Sequence, residues 1–96
     1  MLLLPATITN REARDTLRML AQGLQREPGA ELVINASGLQ QFDTAALAVL
    51  LECRRLAQAW GKQFAVRQAP PKLEALARLY GVDGLLLKAD EAVAPA

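Results

Sequence analysis

The sequence predicts an α/β fold with a small, largely parallel sheet. Short apolar segments alternate with longer segments of helical periodicity, in the order strand, helix, strand, helix, strand, helix. Parallel neighbouring strands need such crossover connections. At 96 residues, the chain is long enough for one hydrophobic core but not for two. We therefore expect one domain over residues 1–90 and a frayed tail at residues 91–96.

The first part of the chain predicts two strands and one helix. Residues 2–4 and residues 32–34 are short apolar runs, and the second contains the β-branched residues typical of a buried strand. Between them, Thr9 and Glu12 have the spacing of a helix capping box. Apolar residues then recur at helical spacing, at Ala13, Leu17, Leu20 and Leu24.

The predicted second helix, residues 44–60, is apolar on two sides. Its core stripe comprises Ala46, Val49, Leu50, Cys53, Leu56, Ala57 and Trp60. Leu47 and Leu51 fall outside this stripe, with Thr44, Arg55 and Gln58 on the same flank. Because a helix that serves one core needs only one stripe, the second patch predicts a partner. Packing against a neighbouring helix of the same domain is an equally good explanation of the two leucines.

The last third of the chain predicts a third strand and a third helix. Residues 64–67 form the strand, and two prolines introduce a helix whose apolar stripe contains Leu73, Leu76, Ala77 and Tyr80. Gly81 should end this helix. Residues 85–87 fit a short helix and an extended edge equally well.

Asp43 and Thr44 stand where the second helix begins. Either side chain can accept a backbone N–H of the first turn, as an N-cap does. The alternative is that the Thr44 hydroxyl is a contact or switch residue, since a phosphate there would add about −1.5 to −2 charges.

Composition argues against several classes of function. The net charge is +1 and the chain has no histidine, so neither a basic nucleic-acid surface nor a Ser-His or Cys-His catalytic pair is expected. The six glycines are isolated and form no phosphate-binding loop. No apolar stretch approaches the ~20 residues that span a bilayer. We predict a cytoplasmic protein that is not an enzyme and has no metal, no cofactor and no direct membrane insertion.

Residues 32–44 (LVINASGLQQFDT) resemble the strand and Asp-Ser/Thr loop of STAS domains, and the likeness spans nearly the whole chain. Within that family, residues 43–51 (DTAALAVLL) and 73–82 (LEALARLYGV) are most similar to the STAS subunit of Mla lipid-asymmetry ABC transporters. The chain departs from the family pattern in having Asn35 for the usual Asp, and Ala45 and Ala46 for glycine. The N-terminal strand of the family is expected to be missing.

The resemblance implies a subunit that binds an MlaF-like ATPase in complex with a permease, and so lies peripherally at the inner membrane. Transport by such a complex maintains outer-membrane lipid asymmetry. On this hypothesis Leu47 and Leu51 anchor the interface, Thr44 lies at its edge, and Arg55 and Gln58 form a polar rim. The alternatives are an anti-anti-sigma factor regulated by phosphorylation of Thr44, and a homodimer that uses the same patch.

Overall fold

The structure, a computed structural model, describes residues 2–87. The predicted tail at residues 91–96 lies outside the described residues. The elements that the structure describes are β1 (Leu2–Leu3), β2 (Thr7–Ile8), α1 (Ala13–Arg26), β3 (Glu31–Asn35), β4 (Gln41–Phe42), α2 (Thr44–Ala59), β5 (Gln63–Arg67), α3 (Pro71–Leu79) and α4 (Asp83–Leu86).

The predicted parallel sheet is confirmed. Its strand order is β1-β3-β5, and both neighbouring pairs are parallel. In this register Leu2 lies beside Ile34, and Ile34 beside Val66, so that these side chains share one face of the sheet. β1 is an edge strand, and no hairpin partner for it is found within residues 2–87.

Helices α1 and α2 lie on the same face of the sheet. Both crossovers, β1 to β3 and β3 to β5, step in the same direction, and right-handed crossovers then place their helices on one side. The two helices accordingly pack against each other. At Gly23, α1 approaches β1 so closely that an added Cβ would lie 2.9 Å from a methyl carbon of Leu2. Glycine at this position therefore allows the close packing of α1 on the sheet edge.

Half of the predicted capping box forms, and it closes a turn that precedes the regular helix. The Glu12 N–H donates to the Thr9 backbone carbonyl, at 3.0 Å, and not to the Thr9 hydroxyl. The Glu12 carboxylate accepts hydrogen bonds from the Thr9 hydroxyl and, at 2.9 Å, from the Thr9 N–H. These bonds lower the pKa of Glu12. Helix α1 begins at Ala13 and buries Leu20 and Leu24 as predicted.

Most of the predicted core stripe of α2 is buried. Ala46, Val49, Leu50, Cys53 and Ala57 are all core residues. Trp60 is an exception, with 37% of its surface exposed, because it is the C-cap residue and no longer follows the helical stripe. Burial raises the pKa of the Cys53 thiol to about 12, so this cysteine is a packed thiol and not a nucleophile at neutral pH.

A short helix follows α3, where the sequence fitted a short helix and an extended edge equally well. Residues 83–86 form α4, and Leu86 is fully buried. Helix α3 buries Leu73 and Ala77 as predicted. Tyr80, which we placed on the same stripe, is instead 58% exposed. Of the helices within residues 2–87, none is both long and apolar enough to cross a membrane.

Candidate functional site

A two-stranded parallel sheet, which the sequence did not predict, lies directly before the start of α2. Thr7 and Ile8 of β2 pair with Gln41 and Phe42 of β4. This pairing brings the residues after β2 next to Asp43. Each strand has only two residues, too few for an alternating pattern to be recognised in the sequence.

Asp43, and not Thr44, is the N-cap of α2. One oxygen of the Asp43 carboxylate, Oδ1, accepts the backbone N–H of Ala45 at 2.8 Å. The other oxygen, Oδ2, accepts the N–H of Asn10 at 3.3 Å. Of the two caps that the sequence allowed, the structure selects Asp43. Thr44 is the first residue of the helix, and its side chain is exposed.

This assignment predicts different costs for two neighbouring substitutions. Asp43→Ala removes the acceptor of two N–H groups and should lower the free energy of unfolding by about 1–2 kcal/mol. Thr44→Ala removes an exposed hydroxyl and should change it by less than about 0.5 kcal/mol. Urea unfolding of both variants at neutral pH measures the difference. An equal loss in the two variants would contradict the assignment of the cap to Asp43.

A shallow cavity of about 330 Å³ lies beside Thr44, between α2 and the end of α3; we call it the α2–α3 depression. It is lined by Thr44, Leu47, Ala48, Leu51, Tyr80 and Val82. All of these side chains are uncharged, and most are apolar. The arrangement is suited to holding apolar groups of a partner, and residues 2–87 contribute no charged side chain to its lining.

Of the two explanations that the sequence left open for Leu47, the structure favours packing within the domain. Only 4% of its surface is accessible, and it belongs to the hydrophobic core. Val82, folded back from the end of α3, lines the same depression, so the alternative of packing within the domain accounts for Leu47. Leu51, one turn further along, is half-buried and packs against the edge of the core. Leu51 is therefore the leucine of the pair that a partner can reach.

Arg55 and Gln58 do not line the depression. The guanidinium of Arg55 pairs with Glu52 on the same helix. Gln58 accepts a hydrogen bond from Arg54 at 3.3 Å. Arg55 and Gln58 are both exposed. If they contact a partner as predicted, they do so outside the apolar lining of the depression.

Tyr80 and Val82 also line the depression, although neither belongs to the site predicted from the sequence. Gly81 adopts a left-handed conformation, with φ of 71°. The Val82 N–H then reaches back to the Ala77 carbonyl at 2.9 Å, and the Gly81 N–H to the Arg78 carbonyl at 3.0 Å. This is a Schellman motif. It turns Val82 towards α2 and leaves the ring of Tyr80 at the surface. The Tyr-Gly-Val sequence predicted the helix end, but not which helix would lie opposite.

A larger cavity, of about 630 Å³, lies on the other side of Thr44; we call it the loop cavity. Its walls comprise Thr9, Gln40, Gln41, Phe42, Asp43, Thr44, Lys72 and Leu76. Thr44 thus borders both cavities. A charge added at its hydroxyl would lie at the positive end of α2, on the same cavity as the Lys72 side chain.

A small parallel sheet, with two helices on one face and an Asp-Thr pair at the start of the second helix, defines a STAS-like α/β domain. A family model described as "Mlab, STAS domain" matches residues 2–88. The chain therefore belongs to the STAS domain family and is of the MlaB type. Comparison with curated protein sequences finds no match.

Proposed function

We propose that this protein is a non-enzymatic subunit that binds the MlaF-like ATPase of an ABC phospholipid transporter and supports its assembly or activity. Membership of the MlaB-type STAS family supports this proposal. The observation that supports it most directly is the α2–α3 depression. Its apolar lining and the neighbouring hydroxyl of Thr44 form the kind of surface that becomes the centre of a protein interface.

The proposed interface has a centre and an edge. Leu51 and Tyr80 form the accessible apolar centre, since one is half-buried and the other is mostly exposed. An aromatic side chain that becomes buried on binding, as Tyr80 would here, is common among residues that dominate binding energy. Thr44 lies at the edge, where its hydroxyl can meet a polar group of the ATPase. Arg55 and Gln58 would lie outside this centre, as part of a rim.

The effect on the ATPase would come from differential binding. A subunit without catalytic groups changes its partner's activity only by binding one conformation better than another. Phospholipid itself need not touch this chain. In this proposal the protein lies on the cytoplasmic side of the inner membrane, held there by the ATPase and its permease.

The second candidate function is that of an anti-anti-sigma factor. The observation that favours it is the exposed side chain of Thr44 at the first position of α2, beside a cavity that Lys72 also lines. Phosphorylation there would place negative charge at a helix N-terminus, which the helix dipole stabilises. The same phosphate would border the apolar depression and oppose binding of an apolar partner surface.

The proposal is tested by titrating the purified protein into the ATPase–permease complex of the transporter. We expect the rate of ATP hydrolysis to change by at least about twofold, and the melting temperature of the complex to rise by a few degrees. The protein alone should hydrolyse no ATP. If an intact complex responds in neither measurement, the transporter proposal is wrong and the signalling function is preferred.

A further inference from the structure

A second apolar depression lies on the other side of α2. It has a volume of about 240 Å³, and we call it the α1–α2 depression. Its lining consists of Ala13, Arg14, Leu17, Ala48 and Val49. The α2–α3 depression and the α1–α2 depression share one residue, Ala48.

Ala48 is an exposed residue with a short side chain, and it lines both depressions. Helices pack at interaxial distances of about 8–10 Å, and the distance depends on the side chains at the point of contact. An alanine at the crossing point allows a partner backbone to come close. Side chains three or four residues apart on a partner helix lie on the same side of that helix. They can therefore enter the depressions on either side of Ala48.

Of the residues that the structure describes, Arg14 is the only one with a charged side chain that lines either depression. Among residues 2–87, Arg18 pairs with Asp15 at 3.9 Å, and Arg55 pairs with Glu52. No such pair is found for Arg14 within the same residues. The charge of this surface is therefore positive at the α1 side, and a carboxylate on the partner would complement it.

We propose that the part of the ATPase that binds this chain is an amphipathic helix that crosses α2 at Ala48. Its apolar side chains occupy both depressions, and an acidic side chain faces Arg14. This inference rests on the proposed function and names the kind of surface that the ATPase presents. It enlarges the interface beyond the α2–α3 depression, to include α1.

A size series at Ala48 tests the crossing. Ala48→Leu enlarges the side chain that lines both depressions and should weaken binding to the ATPase by about tenfold or more. Ala48→Ser keeps the side chain small, and its affinity for the ATPase should remain within about twofold of that of the wild type. Ala59→Leu is the matched control, since Ala59 is exposed on the same helix but lines neither depression. Circular dichroism establishes that all three variants are folded.

Charge reversal tests the acidic side chain. Arg14→Glu should weaken binding and reduce the dependence of affinity on salt concentration. Arg18 lies on the same helix but outside the depression. Arg18→Glu should therefore keep the affinity within about twofold of the wild type, with an unchanged salt dependence. If Arg14→Glu binds like the wild type, the acidic contact is wrong.

The outcomes separate this inference from the proposed function. If Ala48→Leu binds normally while Leu51→Asp does not, the helix does not cross at Ala48, but the ATPase still binds the α2–α3 depression. If neither variant changes ATPase binding, the ATPase contacts another surface: the crossing at Ala48 and the α2–α3 depression are both excluded as its site, while the proposed subunit function is decided by the titration of the transporter complex. If the isolated protein is a dimer that Ala48→Leu dissociates, a second copy covers this face and the inference is overturned.

Discussion

Leu47→Asp should prevent stable folding. The Leu47 side chain is almost completely buried, and burial of a leucine contributes about 1.5–3 kcal/mol. A carboxylate at the same place must in addition give up much of its hydration without a partner. A combined loss of roughly 3–6 kcal/mol is most of the stability of a small domain. Far-ultraviolet circular dichroism and urea unfolding should show little or no cooperative transition. A variant with nearly wild-type stability would place Leu47 at the surface instead.

Leu51→Asp should leave the domain folded but remove most of its affinity for the ATPase. Leu51 is half-buried at the edge of the α2–α3 depression, so that a carboxylate there stays hydrated in the free protein. In a closed apolar interface it would lose that water, and a loss of at least about 2 kcal/mol, or roughly 30-fold in affinity, is expected. Binding is measured by titration calorimetry against the ATPase at an equal folded fraction.

Leu3→Asp is the matched control for Leu51→Asp. Leu3 is 66% exposed on the edge strand β1 and lines neither depression. The Leu3→Asp variant should bind the ATPase with an affinity within about twofold of that of the wild type. Equal losses in the two variants would indicate a general effect of the added charge. Unchanged binding of Leu51→Asp would exclude the α2–α3 depression as the ATPase site.

The alternation of strands and helices was sufficient to predict the sheet. The apolar runs at residues 32–34 and 64–66 form neighbouring parallel strands, because the crossover helix between them leaves few other arrangements. The end of α3 before Gly81 was also predictable, since a glycine adopts the left-handed conformation of such a helix end without strain. These features depend on local patterns that tertiary contacts do not override.

The candidate site was predicted less well, because its parts are distant in sequence. Leu47 lies outside the stripe expected for one core, yet Val82 lines the same depression, and no periodicity in α2 reveals that neighbour. Tyr80 fits the stripe of α3 by spacing, but as the C-cap residue it turns outward. The role of Asp43 as the cap depends on local backbone geometry, which the Asp-Thr pair alone leaves open.

The hydrogen bond from Asn10 to Asp43 connects the start of α2 to a segment that is distant in sequence. Thirty-three residues separate its two partners, so this bond forms only after a loop of that length has closed and its conformational entropy has been lost. Oδ1 of Asp43 caps the first turn locally by accepting the Ala45 N–H, and the bond from Asn10 adds a long-range link between the N-terminal segment and the same carboxylate. An isolated peptide of residues 40–60 would keep the local cap but lack this link, and contact order limits how early in folding the surface around Asp43 is completed. A binding surface completed by this link is a property of the whole domain and not of its helix.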